Sequence, residues 1–432
     1  MQLRGRSLPL RKSGHRSRPG RVLLFMVLIG AGFLIYGLNK RGTVQPLFIP
    51  TPTATRVPSS YAEEAEALFA AGKLATAVPV YLEAVQRDPK NVDYWVALAR
   101  IQIYGKQYAE ALKSAQTALR IAPNNAKAKA INAWALFWND RVDEAQAAAV
   151  QAIALDSNNA PAHAYYSEIL NDPTIMRWDQ AAQEAQLALS LDPNSVDAHR
   201  AMGVANESVG NYEGAIQHYK DAIALNPNLI ELYMRLGVNY RALQRYDEAI
   251  EAFSKASAID PYDVGPYLSL SRTYFQIDQF GTAIQYLDQA LALRPDDPDI
   301  HGRKGLIFFK RKNYEGALPE LELAVQGGSY EVSNDNKVQV LGMPLSRLSM
   351  EYYYTLGNLY AYYRLCAPDQ AQALLSQALA AFPDDPTVIG SYETSMETCR
   401  NVLAGTLAPP DGTTTPGTGV APAATATPTP KP

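Results

Sequence analysis

The chain of 432 residues contains no H-E-x-x-H helix, P-loop, paired CxxC, G-x-S-x-G elbow or dinucleotide-binding fingerprint. Zinc proteolysis, nucleotide hydrolysis, dithiol redox chemistry, serine-elbow acyl transfer and hydride transfer therefore lack their usual signatures. No enzyme domain fits, and no cofactor is expected. Acidic residues are missing from the first 56 positions, which hold ten Lys/Arg. The remainder then carries 29 basic against 43 acidic residues, a net charge of −14. A body of that sign repels phosphate backbones, so nucleic acid is not an expected partner.

What is present at the N-terminus is a membrane address. Residues 22–38 are seventeen uncharged, mostly apolar residues, just long enough to cross a bilayer at about 1.5 Å per residue. Seven Lys/Arg precede the run, and Lys40 and Arg41 follow it. The excess on the N-terminal side predicts a single-pass helix with residues 1–21 in the cytoplasm and the rest outside. A cleaved signal peptide would need a small-x-small site after the apolar run, where Lys40 and Arg41 stand instead. Residues 39–57 and 405–432 are rich in Pro and Thr; the first reads as an extended spacer and the second as a disordered tail.

Between these tails the sequence repeats. Pro193, Pro227, Pro261 and Pro295 are 34 residues apart, as are Ala181, Ala215, Ala249, Ala283 and Ala317, and as are Ala188, Ala222, Ala256, Ala290 and Ala324. The same period runs upstream through Ala77, Ala111 and Ala145. Within each period, apolar residues recur at i, i+3, i+4 and i+7 in two halves, which predicts a helical hairpin. Tyr233, Leu236, Gly237 and Tyr240 share a face of a first helix, and Ala249, Phe253 and Ala256 share a face of a second. Small residues are needed where helix axes approach to about 8–10 Å.

These residues resemble the tetratricopeptide repeat family, with its W-x2-L-G-x2-Y, A-x3-F and P positions in 34 residues. Residues 230–263 match nearly throughout, and about nine units fit into 58–383. The resemblance implies an all-α, right-handed superhelix of helical hairpins whose first helices line a concave surface that binds peptides or protein domains. The groove positions then include the aromatics Phe69, Tyr104, Trp134, Trp138, Phe275, Phe309 and Tyr354, with the arginines Arg100, Arg241 and Arg272. Aromatics interleaved with arginine suit interface anchors. His163, His199 and His301 all fall at the fourth position of a first helix. Their rows lie about a helix-pair width apart, beyond ligand distances near 2 Å, so no metal is expected.

Residues 327–350 interrupt the period and read as a short β-hairpin around an Asn/Asp-rich turn, either a surface insertion or a finger over the groove. Residues 384–404 should form the capping helix that a solenoid needs. Cys366 and Cys399, the two cysteines, stand at corresponding ends of two helices running the same way, which would allow a disulfide in an oxidising exterior. The resulting expectation is a membrane-anchored, extracytoplasmic protein-interaction scaffold. The alternative is an extracytoplasmic receptor for a small ligand or glycan.

Overall fold

In a computed structural model, residues 19–40, 56–333, 336–362 and 367–406 can be described. They divide into two units, 1–57 and 58–432. The first contributes α1 (Pro19–Lys40), whose apolar side chains from Val22 to Leu34 are all solvent-exposed. Among the described residues no helix is long and apolar enough to cross a membrane. The uninterrupted run of described side chains in α1 covers only residues 22–34. Most of the spacer, the basic N-terminal segment and nearly all of the Thr/Pro tail lie outside the described residues.

The second unit is a solenoid of helical hairpins. The first four are α2 (Pro58–Ala70) with α3 (Leu74–Arg87), α4 (Val92–Tyr104) with α5 (Tyr108–Ile121), α6 (Ala126–Phe137) with α7 (Val142–Leu155), and α8 (Ala160–Leu170) with α9 (Trp178–Leu191). Next come α10 (Val196–Ser208) with α11 (Tyr212–Leu225), α12 (Ile230–Ala242) with α13 (Tyr246–Ile259), and α14 (Val264–Gln276) with α15 (Phe280–Leu293). The last two are α16 (Pro298–Lys310) with α17 (Tyr314–Val325) and α18 (Met350–Tyr362) with α19 (Pro368–Ala381), closed by α20 (Pro386–Leu403). Between α17 and α18, β1 (Gly328–Ser333) and β2 (Asn336–Val340) pair antiparallel, Gly328 opposite Val340.

The repeated small residues explain the packing. Ala181, Ala215, Ala249, Ala283 and Ala317 are wholly buried, as are Ala188, Ala222, Ala256, Ala290 and Ala324. At Gly237 a Cβ would stand 2.5 Å from the Phe253 ring, and at Gly203 2.5 Å from the Tyr219 ring. Glycine there lets each first helix sit directly on the aromatic residue of its partner. The turns within the first eight hairpins are built the same way. Gly72, Lys106, Asp140, Met176, Gly210, Gln244, Asp278 and Lys312 all have φ between 50° and 75°. Only two of these eight are glycine, so the other turns hold an L-residue in a left-handed conformation. Asn125, Asn159, Ser195, Asp263 and Asp297 cap the first helices that follow them by accepting a backbone N–H, and Asp385 caps α20 in the same way.

The chain also closes on itself. One apolar core joins residues of α2, α3 and α4 to residues of α11, α12, α13 and α14. Asn228 Nδ2 donates to the Ala70 carbonyl at 2.7 Å, and Lys106 Nζ pairs with Asp263 at 2.6 Å. From α4 to α10, and again from α16 to α20, consecutive first helices pack on one another; from α10 to α16 they barely touch.

Candidate functional site

That closure fills the interior of the N-terminal coil. Trp134 of α6 is fully buried and stacks on Tyr165, with centroids 4.4 Å apart and planes 2° from parallel. Tyr104 lies against Trp134 at 5.5 Å and against Phe69 at 5.3 Å. Phe69, Tyr104 and Trp134 were expected on an open groove. They instead form a continuous aromatic stack inside the coil, because the first two hairpins fold back onto the fifth to seventh. Arg100 lies over Phe69 at 5.0 Å and pairs with Glu66 at 3.1 Å.

A charged group sits at the centre of this stack. Arg200 of α10 is fully buried, with its guanidinium 4.3 Å from the Trp134 ring and 5.3 Å from the Tyr104 ring. Its nitrogens reach Glu168 at 2.7 Å, Asp197 at 3.5 Å and Glu231 at 3.5 Å. The contact with Glu168 is close but poorly aligned: neither Arg200 Nη2 nor Glu168 Oε1 has a hydrogen-bond partner of proper geometry. The other Glu168 oxygen accepts from Trp134 Nε1 at 3.0 Å, and Asp197 accepts from both Tyr104 and Tyr165. Burial works against the Arg200 charge, but Glu168, Tyr104, Glu231 and Asp197 hold it well above the usual guanidinium range. Burial pushes Glu168 up to about 7, despite the pull of Arg200. A charge held in this way ties together five helices, α4, α6, α8, α10 and α12, and Arg200 itself exposes nothing to a partner.

The remaining predicted groove residues are accessible. Trp138 stacks on Tyr108 at 5.1 Å and its Nε1 has no hydrogen-bond partner. Arg241 lies over Phe253 at 5.5 Å; burial and the charge of Arg272 hold it down to about 10. Arg272 is exposed, and with Phe275, Arg303, Leu306 and Tyr352 it lines a cleft of 300 Å³ along α14, α16 and α18. Lys310 lies 4.5 Å above the Phe275 ring. Phe309 lines a second cleft of 560 Å³ between α18 and α20, with Tyr314, Asn358 and Tyr362. Tyr354 is half-buried, and burial pushes its hydroxyl up to about 12. Sequence reasoning missed Arg303 and Tyr352, which sit on α16 and α18, the helices of the named Phe309 and Tyr354. Cys399 is buried on α20, 3.8 Å from the Ala361 carbonyl, and no free cysteine occurs among the described residues; Cys366 lies outside them.

Each histidine of the row meets a side chain of its own hairpin. His163 pairs with Glu184 and His301 with Glu320, each at 2.6 Å within its own hairpin, and His301 is also covered by the Tyr330 ring of β1 at 4.6 Å.

Family models described as tetratricopeptide repeat match residues 68–130, 177–230, 208–272 and 240–302. The chain is a tetratricopeptide repeat protein. No curated protein matches it. Among solved structures, the tetratricopeptide repeat unit is similar to a chain of the APC/C hetero-tetramer Cut9-Hcn1, with a TM-score of 0.53 at 15% identity over 78% of this chain. It spans about half of that chain, 55%, and the likeness is one of fold. Pseudomonas aeruginosa PilF matches at TM-score 0.40 and 18% identity, over 46% of this chain and 90% of its own. A tetratricopeptide repeat protein from Parabacteroides merdae matches at TM-score 0.39 and 16% identity, over 58% of this chain and 98% of its own.

Proposed function

We propose that this protein is a non-catalytic, membrane-anchored scaffold that captures a partner protein on the C-terminal half of its solenoid. The observation that carries the reading is the division of the inner surface. Helices α4 to α10 enclose their own aromatic and ionic core, whereas the α14–α16–α18 face keeps exposed Arg272 and half-buried Phe275, Arg303 and Leu306 around a cleft. Arginine beside aromatic surface suits an extended segment carrying acidic and apolar side chains, by charge-assisted hydrogen bonds and area burial.

The anchor reading rests on α1. Its sequence from residue 22 to 38 is uncharged and mostly apolar, about 26 Å of helix at 1.5 Å per residue, and includes side chains outside the described ones in which no spanning helix is found. Its described apolar side chains are exposed all around, from 53% at Val22 to 73% at Phe33, as lipid rather than protein contact requires. With the basic residues on its N-terminal side, the solenoid faces away from the cytoplasm.

Affinity capture with the protein as bait tests the scaffold reading. Arg272→Glu combined with Phe275→Ala should reduce recovery of the specific partner at least about tenfold, as expected for loss of two interface anchors. Undiminished recovery sinks the assignment of this face. For the anchor, deleting residues 22–38 should release the protein from carbonate-washed membranes, and continued sedimentation with the membrane would reject it.

A further inference from the structure

His199, His218 and Asp221 place three ligand atoms within 4.8 Å of one another, among the described residues. The cluster arises from an irregularity in the repeat. His163 and His301 stand at the fourth position of α8 and α16. In each, Nε2 meets the carbonyl six residues earlier, Ser157 at 3.0 Å or Pro295 at 3.1 Å, and Nδ1 meets a glutamate of the following helix. His199 holds the same place in α10, with Nε2 3.0 Å from the Pro193 carbonyl. Trp95, Tyr233 and Tyr267, at this position in other first helices, donate N–H or O–H to the corresponding carbonyls. A carbonyl only accepts, so Nε2 carries the proton and neutral His199 presents a lone pair at Nδ1.

Where His301 finds Glu320 nineteen residues on, His199 finds His218. The two Nδ1 atoms face each other at 3.5 Å. That is long for an N–H···N bond, but it matches the edge of a tetrahedron in which metal–nitrogen bonds of about 2.0–2.1 Å set two ligands roughly 3.4 Å apart. Asp221 Oδ2 lies 3.9 Å from His199 Nδ1, while Gln217 Nε2 donates to the other oxygen, Oδ1, at 2.9 Å and orients the carboxylate. His218 and Asp221 are three residues apart on α11 and share a face.

We propose that His199, His218 and Asp221 bind a zinc ion that ties α10 to α11. Two imidazoles and one carboxylate suit zinc, and the fourth position opens to solvent on the Asp221 side, where the carboxylate is 41% exposed. A ligand from a bound partner would fit that position.

The test is equilibrium dialysis of the detergent-solubilised full chain against Zn²⁺, with Co²⁺ absorption as a probe of geometry. One Zn²⁺ retained per chain, with intense visible Co²⁺ bands of a four-coordinate site, is the expected result. The double variant His199→Tyr, His218→Ala copies the pair that the next hairpin already uses, Tyr233 with Ala252, so it keeps the fold. It should bind Zn²⁺ at least about a hundredfold more weakly, since even outer-sphere partners of a site are worth about 10–100-fold. Failure of the wild-type chain to retain Zn²⁺, or equal retention by a folded double variant, overturns the proposal.

Discussion

Glu168 should make the closed coil less stable as the pH rises. Its carboxyl is buried against Trp134 and Arg200, and burial lifts it from an ordinary 4.5 to about 7. A group whose folded pKa lies above its unfolded value contributes its full stability below the unfolded value and loses it as the pH passes through the folded one. The difference of 7 − 4.5 units corresponds to about 3 kcal/mol over the whole range, of which roughly 2 kcal/mol falls between pH 5 and pH 8. Glutamine at this position keeps an acceptor for Trp134 Nε1 and removes the titration. Hydrogen exchange of the α8 and α10 amides, corrected for the intrinsic pH dependence of exchange, reads the local opening free energy in each protein. The wild type should lose about 2 kcal/mol relative to Glu168→Gln between pH 5 and pH 8. Parallel profiles for the two proteins would refute the argument, because every other titrating group is common to both.

Gly237→Ala places a Cβ 2.5 Å from the Phe253 ring and should cost about 1–3 kcal/mol by overpacking, measured as a fall in the denaturation midpoint. Lys312→Gly and Gln244→Gly relieve a left-handed turn at φ 59° in each case. Each should stabilise by about 0.5 kcal/mol, the difference between the strain relieved and the extra freedom of glycine when unfolded; a lowered melting temperature would contradict this. Arg200→Met leaves Asp197 and Glu231 without their shared cation and should destabilise by about 3–5 kcal/mol, visible as accelerated proteolysis within α8 to α12. If Cys366 and Cys399 are joined, the loop closed is 33 residues and reduction should cost about 3–4 kcal/mol, seen as earlier exchange in α20. Tryptic mapping without reductant shows the linked peptide or its absence.

Much of the local fold could be read from the sequence. Alanine every 34 residues in two registers requires helix pairs at close approach, and all of the positions named are wholly buried. The left-handed turn positions were partly hidden, because Lys106, Gln244 and Lys312 carry no glycine to mark them. The site was legible in composition but not in access. Arg272 and Phe275 lie on an open cleft, while Phe69 and Trp134, chosen by the same rule, are enclosed. The His199 cluster escaped because the period compares first helices with first helices, and His218 reaches it from the second.

The sequence alone determines the unit and its stacking. Burial in a solenoid is a nearest-neighbour matter, and each hairpin carries its own small and large residues in register. Tertiary structure decides the rest. Small rotations accumulate over several repeats before Ala70 meets Asn228 and Lys106 meets Asp263, and no residue in one repeat encodes that sum. This closure turns part of the predicted inner wall into core and leaves open clefts along the C-terminal helices.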